Sequence, residues 1–146
     1  MPIISKDHIL LQGQVENKAE AIQKAGELLV NAGCVKPEYI AGMLAREQSM
    51  STSLGNGVAI PHGMHESRSH ILQTGISVLQ LTNGVEWGDG EKVFLVVGIA
   101  AASDEHVGVL ANLAEVIEDT DNLNELLQTT DPEIIIKYLG ASAAVE

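Results

Sequence analysis

The chain has 146 residues, 45% of them hydrophobic and 19% charged, a composition that suits one folded domain with a substantial core. A formal charge of −12, from 20 acidic against 8 basic residues, excludes a nucleic-acid surface and an anionic membrane surface, since both need clustered Lys and Arg. The longest apolar run, Val93 to Ala102, is too short to cross a bilayer, which takes roughly 20 residues.

The chain opens Met1-Pro2-Ile3-Ile4-Ser5-Lys6-Asp7, with no apolar stretch behind it that reads as a secretory leader. The single Cys34 excludes an intramolecular disulfide and suits a reducing compartment. The expectation is therefore a cytoplasmic protein. Ile9-Leu10-Leu11 is a short extended segment. A helix then opens at Asn17, an N-cap with Glu20 three residues on as in a capping box, and carries Ala21, Ile22, Ala25, Leu28 and Leu29 as one stripe to a stop at Gly33. Pro37 starts a second helix with Ile40, Met43 and Leu44 on one side.

In the middle of the chain, Gly55-Asn56-Gly57 is a turn signal and Val58-Ala59-Ile60 an extended run ended by Pro61. Ile76 to Leu81 reads as a strand followed by a turn at Asn83-Gly84. Val93 to Val97 is apolar without alternation, as in a central strand covered on both faces. Three helices close the chain: about Asp104 to Glu118, about Asn122 to Gln128, and one capped by Asp131 that ends before Gly140. Residues 141–146 read as a frayed tail. Strands in the centre with helices before and after predict a single α/β domain, a mixed sheet with helices on both faces.

Five histidines are the candidate chemistry. His62 stands in Gly57-Val58-Ala59-Ile60-Pro61-His62-Gly63, where a hydrophobic strand meets proline and then glycine. Strand ends of α/β folds present side chains rigidly, and a neutral imidazole is a nucleophile at pH 7. An idle loop histidine is the alternative. His106 falls in the first turn of a helix that Ser103 or Asp104 would cap, where free N–H groups and the dipole favour a phosphoryl dianion. A partly buried histidine bonded to a carbonyl is its alternative. His62-x-x-His65 with His106 could be a metal site, but no Cys or Glu stands at a motif spacing. His8, near the terminus, is expected in solvent. Arg46 ends the stripe of the second helix and, without other information, faces water. Cys34 has no basic neighbour closer than Lys36 and is expected inert; Trp87 is expected to anchor a loop.

The segment Leu54-Gly55-Asn56-Gly57-Val58-Ala59-Ile60-Pro61-His62-Gly63 resembles the phosphorylation motif of enzyme IIA components of the sugar phosphotransferase system (PTS), mannitol–fructose class. Gly33 to Ile40 with Met43-Leu44-Ala45-Arg46-Glu47 resembles the family's second-helix region, and Val97 to Ala101 with Asp104-Glu105-His106 its second histidine motif. The resemblance covers nearly the whole chain, with residues 1–140 as the domain, and is nearest to mannitol-specific members. Asn56 departs from it, because mannitol-type members often carry an acidic residue there.

The resemblance implies a mixed, mostly parallel sheet with helices on both sides. It implies that His62 takes a phosphoryl group from the phosphocarrier protein HPr and passes it to a cysteine of a IIB domain. His106 would stabilise the phosphoryl group and Arg46 neutralise its charge. No metal or organic cofactor is expected, and the sugar would be handled by a membrane transporter on a separate chain. The alternatives are a fructose-type IIA or a nitrogen-regulatory phosphoprotein that signals by binding proteins.

Overall fold

The computed structural model describes residues 4–63, 65–88, 90–101 and 105–139, with side chains for all of these except 65, 66 and 105–110. The strands are β1 (Ile9–Gly13), β2 (Ser53–Gly55), β3 (Val58–Ala59), β4 (Gly75–Gly88) and β5 (Glu91–Ala100). The helices are α1 (Lys18–Asn31), α2 (Tyr39–Ser49), α3 (Glu105–Glu118), α4 (Thr120–Gln128) and α5 (Pro132–Leu139), with short 3-10 turns at Lys6–His8 and His65–His70. The strands form one sheet in the order β1-β4-β5-β3-β2. β1 runs parallel to β4 and β3 parallel to β5, while β4–β5 and β2–β3 are antiparallel. The architecture is the mixed α/β domain that the alternation of strands and helices implies.

Period-two alternation sorts the strand side chains into two cores, because successive residues point to opposite faces. Val58, Ile60, Ile76, Val78, Leu95, Val97 and Ile99 pack with Leu113, Val116, Leu123, Leu126, Ile135 and Leu139 of α3, α4 and α5. Ala59, Leu79, Leu81, Val96 and Ala100 pack on the other face with Ala21, Ile22, Ala25 and Leu29 of α1 and Tyr39 and Met43 of α2. A central strand buried on both faces needs no polar side, which is why Val93 to Val97 carries none. The helix starts follow the local sequence: Asn17 Oδ1 accepts the Glu20 N–H at 2.8 Å, and Asp119 Oδ1 accepts those of Asp121 and Asn122. Asp131 Oδ1 likewise accepts from Glu133.

Three expectations are corrected. Asn83-Gly84 does not reverse the chain. β4 runs through it to Gly88, with a register break between Gln80 and Val85, and the hairpin closes where Gly88 pairs with Glu91. Gly84, at φ 71°, serves a bulge, which takes the same left-handed residue as a tight turn. Trp87 is therefore a buried residue of the strand itself and not part of a loop. His8 is buried, with Nδ1 2.8 Å from the Ile76 carbonyl oxygen. The turn expected at Gly55-Asn56-Gly57 is present: β2 pairs with β3 across Asn56 and Gly57, both at positive φ as a type I′ turn requires. Residues 140–146 and the capping residues Ser103 and Asp104 lie outside the described residues.

Candidate active site

The run Val58-Ala59-Ile60-Pro61-His62-Gly63 leaves β3 alongside the far end of β5. Proline cannot donate to the ladder, and β3 stops short of it at Ala59. Pairing resumes just beyond, with the Ile99 N–H donating to the Pro61 carbonyl at 2.9 Å and His62 standing opposite Ile99. His62 shares the parity of Val58 and Ile60, so it continues the row that faces α3 to α5. β5 ends one residue after Ile99, and α3 begins five residues later with His106 in its first turn. The backbone thus carries both histidine segments to one end of the sheet. The side chains of His65 and His106 lie outside the described residues.

The His62 ring is half-buried, with Nδ1 2.9 Å from the carbonyl oxygen of Ile60. A carbonyl can only accept, so Nδ1 carries the hydrogen and the lone pair of the neutral ring resides on Nε2. Burial holds the imidazole pKa below its ordinary value. The bond to Ile60 and the Glu47 carboxylate oppose that shift, and the Arg46 guanidinium adds to it. His62 is accordingly a neutral base near pH 7, with one defined tautomer.

Arg46 stands in the last turn of α2, where its Nη1 donates to the Met50 carbonyl at 2.8 Å and covers an otherwise open helix-end acceptor. It is partly buried and close enough to act on His62 through its charge. The structure therefore brings His62 and Arg46 together. Cys34 is fully buried, and burial raises its thiol pKa, which makes it an unreactive core residue.

Two side chains that shape this site were not singled out in the sequence. Glu47, only 5% exposed, accepts the Thr52 N–H at 3.0 Å, the Thr52 hydroxyl, and the Trp87 indole N–H at 2.9 Å. Lys18 lies 3.8 Å from the same carboxylate and over the Trp87 ring. Thr52 in turn accepts the Ile60 N–H at 3.0 Å. A chain of bonds therefore leads from Glu47 through Thr52 to Ile60, whose carbonyl orients His62. Tyr39 is the second. It is buried under Gly63, where a Cβ would lie 2.5 Å from its ring, so glycine after His62 is set by the tyrosine beneath it. Tyr39, Met43 and Glu47 recur every four residues, the spacing of one helix face. That face reads as apolar core, so the two polar ends in it give no signal of their own in the sequence.

Residues 2–141 match the family described as "Phosphoenolpyruvate-dependent sugar phosphotransferase system, EIIA 2". The chain belongs to this family. It is 41% identical over 140 residues to the mannitol-specific phosphotransferase enzyme IIA component of Geobacillus stearothermophilus, covering 96% of this chain and 97% of that protein. A multiphosphoryl transfer protein of Xanthomonas campestris is 45% identical over 97% of this chain, which spans 17% of that longer protein. Among solved structures, the Escherichia coli complex of enzyme IIAMTL with phosphorylated enzyme IIBMTL superposes with a TM-score of 0.88 at 35% identity, covering 94% of this chain and 97% of that one. The crystal structure of IIA mannitol from Escherichia coli gives 0.86 at 37% identity, with 93% and 98% covered. The chain is a IIA component, a phosphotransferase that carries its group as a phosphohistidine.

Proposed function

We propose that His62 is the phosphorylated residue, that phospho-HPr is the donor, and that a IIB cysteine of the mannitol branch is the acceptor. The observation that carries this reading is the Ile60 carbonyl on His62 Nδ1, which leaves Nε2 as the nucleophilic atom of a half-exposed ring at a strand end. In the first step Nε2 attacks the phosphorus of phospho-HPr, a P–N bond forms, and the donor's P–N bond breaks in line. In the second, a IIB thiolate attacks the same phosphorus, and His62 leaves as the neutral imidazole with its Nδ1 hydrogen retained. Arg46 offsets the dianion's charge, and His106, in the first turn of α3, donates to a phosphoryl oxygen.

The IIAMTL–IIBMTL complex supports a IIB partner, and the full-length match to a mannitol-specific component supports the branch. Residues 1–140 make up the IIA domain. Among the described residues no helix is long and apolar enough to cross a membrane, in keeping with a cytoplasmic carrier that serves a separate transporter and binds no sugar. Replacing His62 by Gln should abolish labelling from phosphorylated HPr while the circular dichroism of the fold persists. Label remaining on a histidine of that variant would refute the site. A second reading, a regulatory carrier, is supported by the likeness to the nitrogen regulatory protein IIA-Ntr of Neisseria meningitidis, 28% identical with a TM-score of 0.78. Chasing the labelled protein with mannitol, fructose and other IIB domains separates the branches. Transfer to no IIB domain would favour the regulatory reading.

A further inference from the structure

When His62 pairs in parallel with Ile99, two backbone rungs are expected: Ile99 N–H to the Pro61 carbonyl, and Gly63 N–H to the Ile99 carbonyl. The first is present at 2.9 Å. At the second, the hydroxyl of Tyr39 donates to the Ile99 carbonyl at 2.8 Å and accepts the Gly63 N–H at 2.8 Å. The phenol oxygen thus stands in the ladder as a spacer. Its two partners are the residue that follows His62 and the strand residue opposite His62.

We propose that Tyr39 is a positioning residue for phosphoryl transfer: its hydroxyl, wedged between the Gly63 N–H and the Ile99 carbonyl, holds the His62 segment at a set distance from β5. The inference rests on His62 as the phosphorylated residue and adds what fixes its place. Three features support it. Tyr39 is 3% exposed, so the hydroxyl makes these bonds away from bulk water. Burial raises its pKa, which keeps the phenol protonated and able to donate to Ile99 while it accepts from Gly63. The ring also lies where a Gly63 Cβ would be, so packing as well as hydrogen bonding fixes the segment's height above α2. Without the hydroxyl, Gly63 N–H and Ile99 C=O are left to close on each other or go unpaired, and either outcome moves His62.

The test is Tyr39→Phe, compared with wild type and His62→Gln, in single-turnover labelling from phosphorylated HPr. The ring is kept and the docking surface is untouched. The expected result is a fall in kcat of about tenfold to a hundredfold, the scale of an ångström-sized misplacement, with KM for HPr within about twofold. The His62 15N resonances and their pH titration should shift as well, because the ring sits in the displaced segment. Unchanged kcat and an unchanged titration in a folded Tyr39→Phe protein would overturn the proposal. Absence of label on wild-type His62 would instead overturn the site assignment, so the two failures are distinguishable. If Tyr39→Phe does not fold, 3-fluorotyrosine incorporated in a Tyr138→Phe background leaves Tyr39 the sole bearer of a more acidic phenol. The Gly63 amide proton should then move upfield and the transfer rate should change; both unchanged would equally overturn the wedge.

Discussion

Replacing Glu47 by Leu tests whether the buried carboxylate, rather than the apolar core around it, holds the His62 segment. Glu47 receives three hydrogen bonds, from the Thr52 N–H, the Thr52 hydroxyl and the Trp87 indole. The hydroxyl can rotate toward another acceptor, whereas the two N–H groups are fixed and belong to residues 5% and 3% exposed. An unsatisfied buried donor costs about 1–3 kcal/mol, so two of them cost about 2–6 kcal/mol. The Lys18 ion pair adds little, because at 3.8 Å its ammonium is partly in solvent. For a chain of this length about 4 kcal/mol lowers Tm by roughly 8–16 °C. Urea unfolding followed by the fluorescence of Trp87, the one tryptophan of the chain, reads both the stability and the loss of its indole contact. A second readout follows from charge: Glu47 raises the His62 pKa, so its removal should lower the His62 midpoint further in an NMR titration. A loss below about 1 kcal/mol, with the His62 midpoint unmoved, would refute the bond chain from Glu47 to His62.

Phosphoryl acceptance should depend on pH through His62 itself. Burial disfavours the imidazolium, so the folded pKa lies below 6.5; acceptance should rise with pH through that midpoint and level off above it. A midpoint at or above 6.5, in the rate or in the imidazole titration, would contradict the assigned environment. Replacing Arg46 by Gln should move the midpoint up, since the guanidinium helps to depress it. Gly26→Ala should destabilise the fold by about 1–3 kcal/mol, although alanine is the better helix former. Its Cβ would meet Ile40 Cγ1 at 2.6 Å and Met43 Sδ at 3.2 Å where α1 and α2 pack, and a thermal melt reads the sign.

The parts of the fold legible in sequence are those with local causes. Asn17 caps α1, and Val93 to Val97 lies inside the central strand β5, because capping and hydrophobic pattern act over a few residues. His62 was legible for the same reason, as a histidine after proline at a strand end. The misses share a different cause. Asn83-Gly84 carries turn chemistry that a bulge also uses, and only pairing with β5 decides between them. His8 is buried where its turn packs on α1, β4 and α5, which its position near the terminus does not reveal. Tyr39 and Glu47 follow apolar spacing on α2, and their polar partners are up to 60 residues away in sequence. A single sequence read without its contacts cannot show that.

The choice of a carbonyl as the partner of His62 Nδ1 has a consequence for the proposed chemistry. A carboxylate there would orient the ring equally well. It would also raise the imidazole pKa, populate the imidazolium that cannot attack, and place a negative charge behind the incoming dianion. The neutral Ile60 carbonyl fixes the tautomer without that charge, while burial and Arg46 keep the ring a weak base. A weak base is also a good leaving group, so the same feature that keeps the ring neutral for acceptance lowers the barrier to donation. A carrier must release what it binds, and the neutral hydrogen bond to Ile60 suits both directions. An Asp engineered within reach of Nδ1 should therefore strengthen the base while slowing onward transfer to a IIB thiolate, an outcome readable in single-turnover donation.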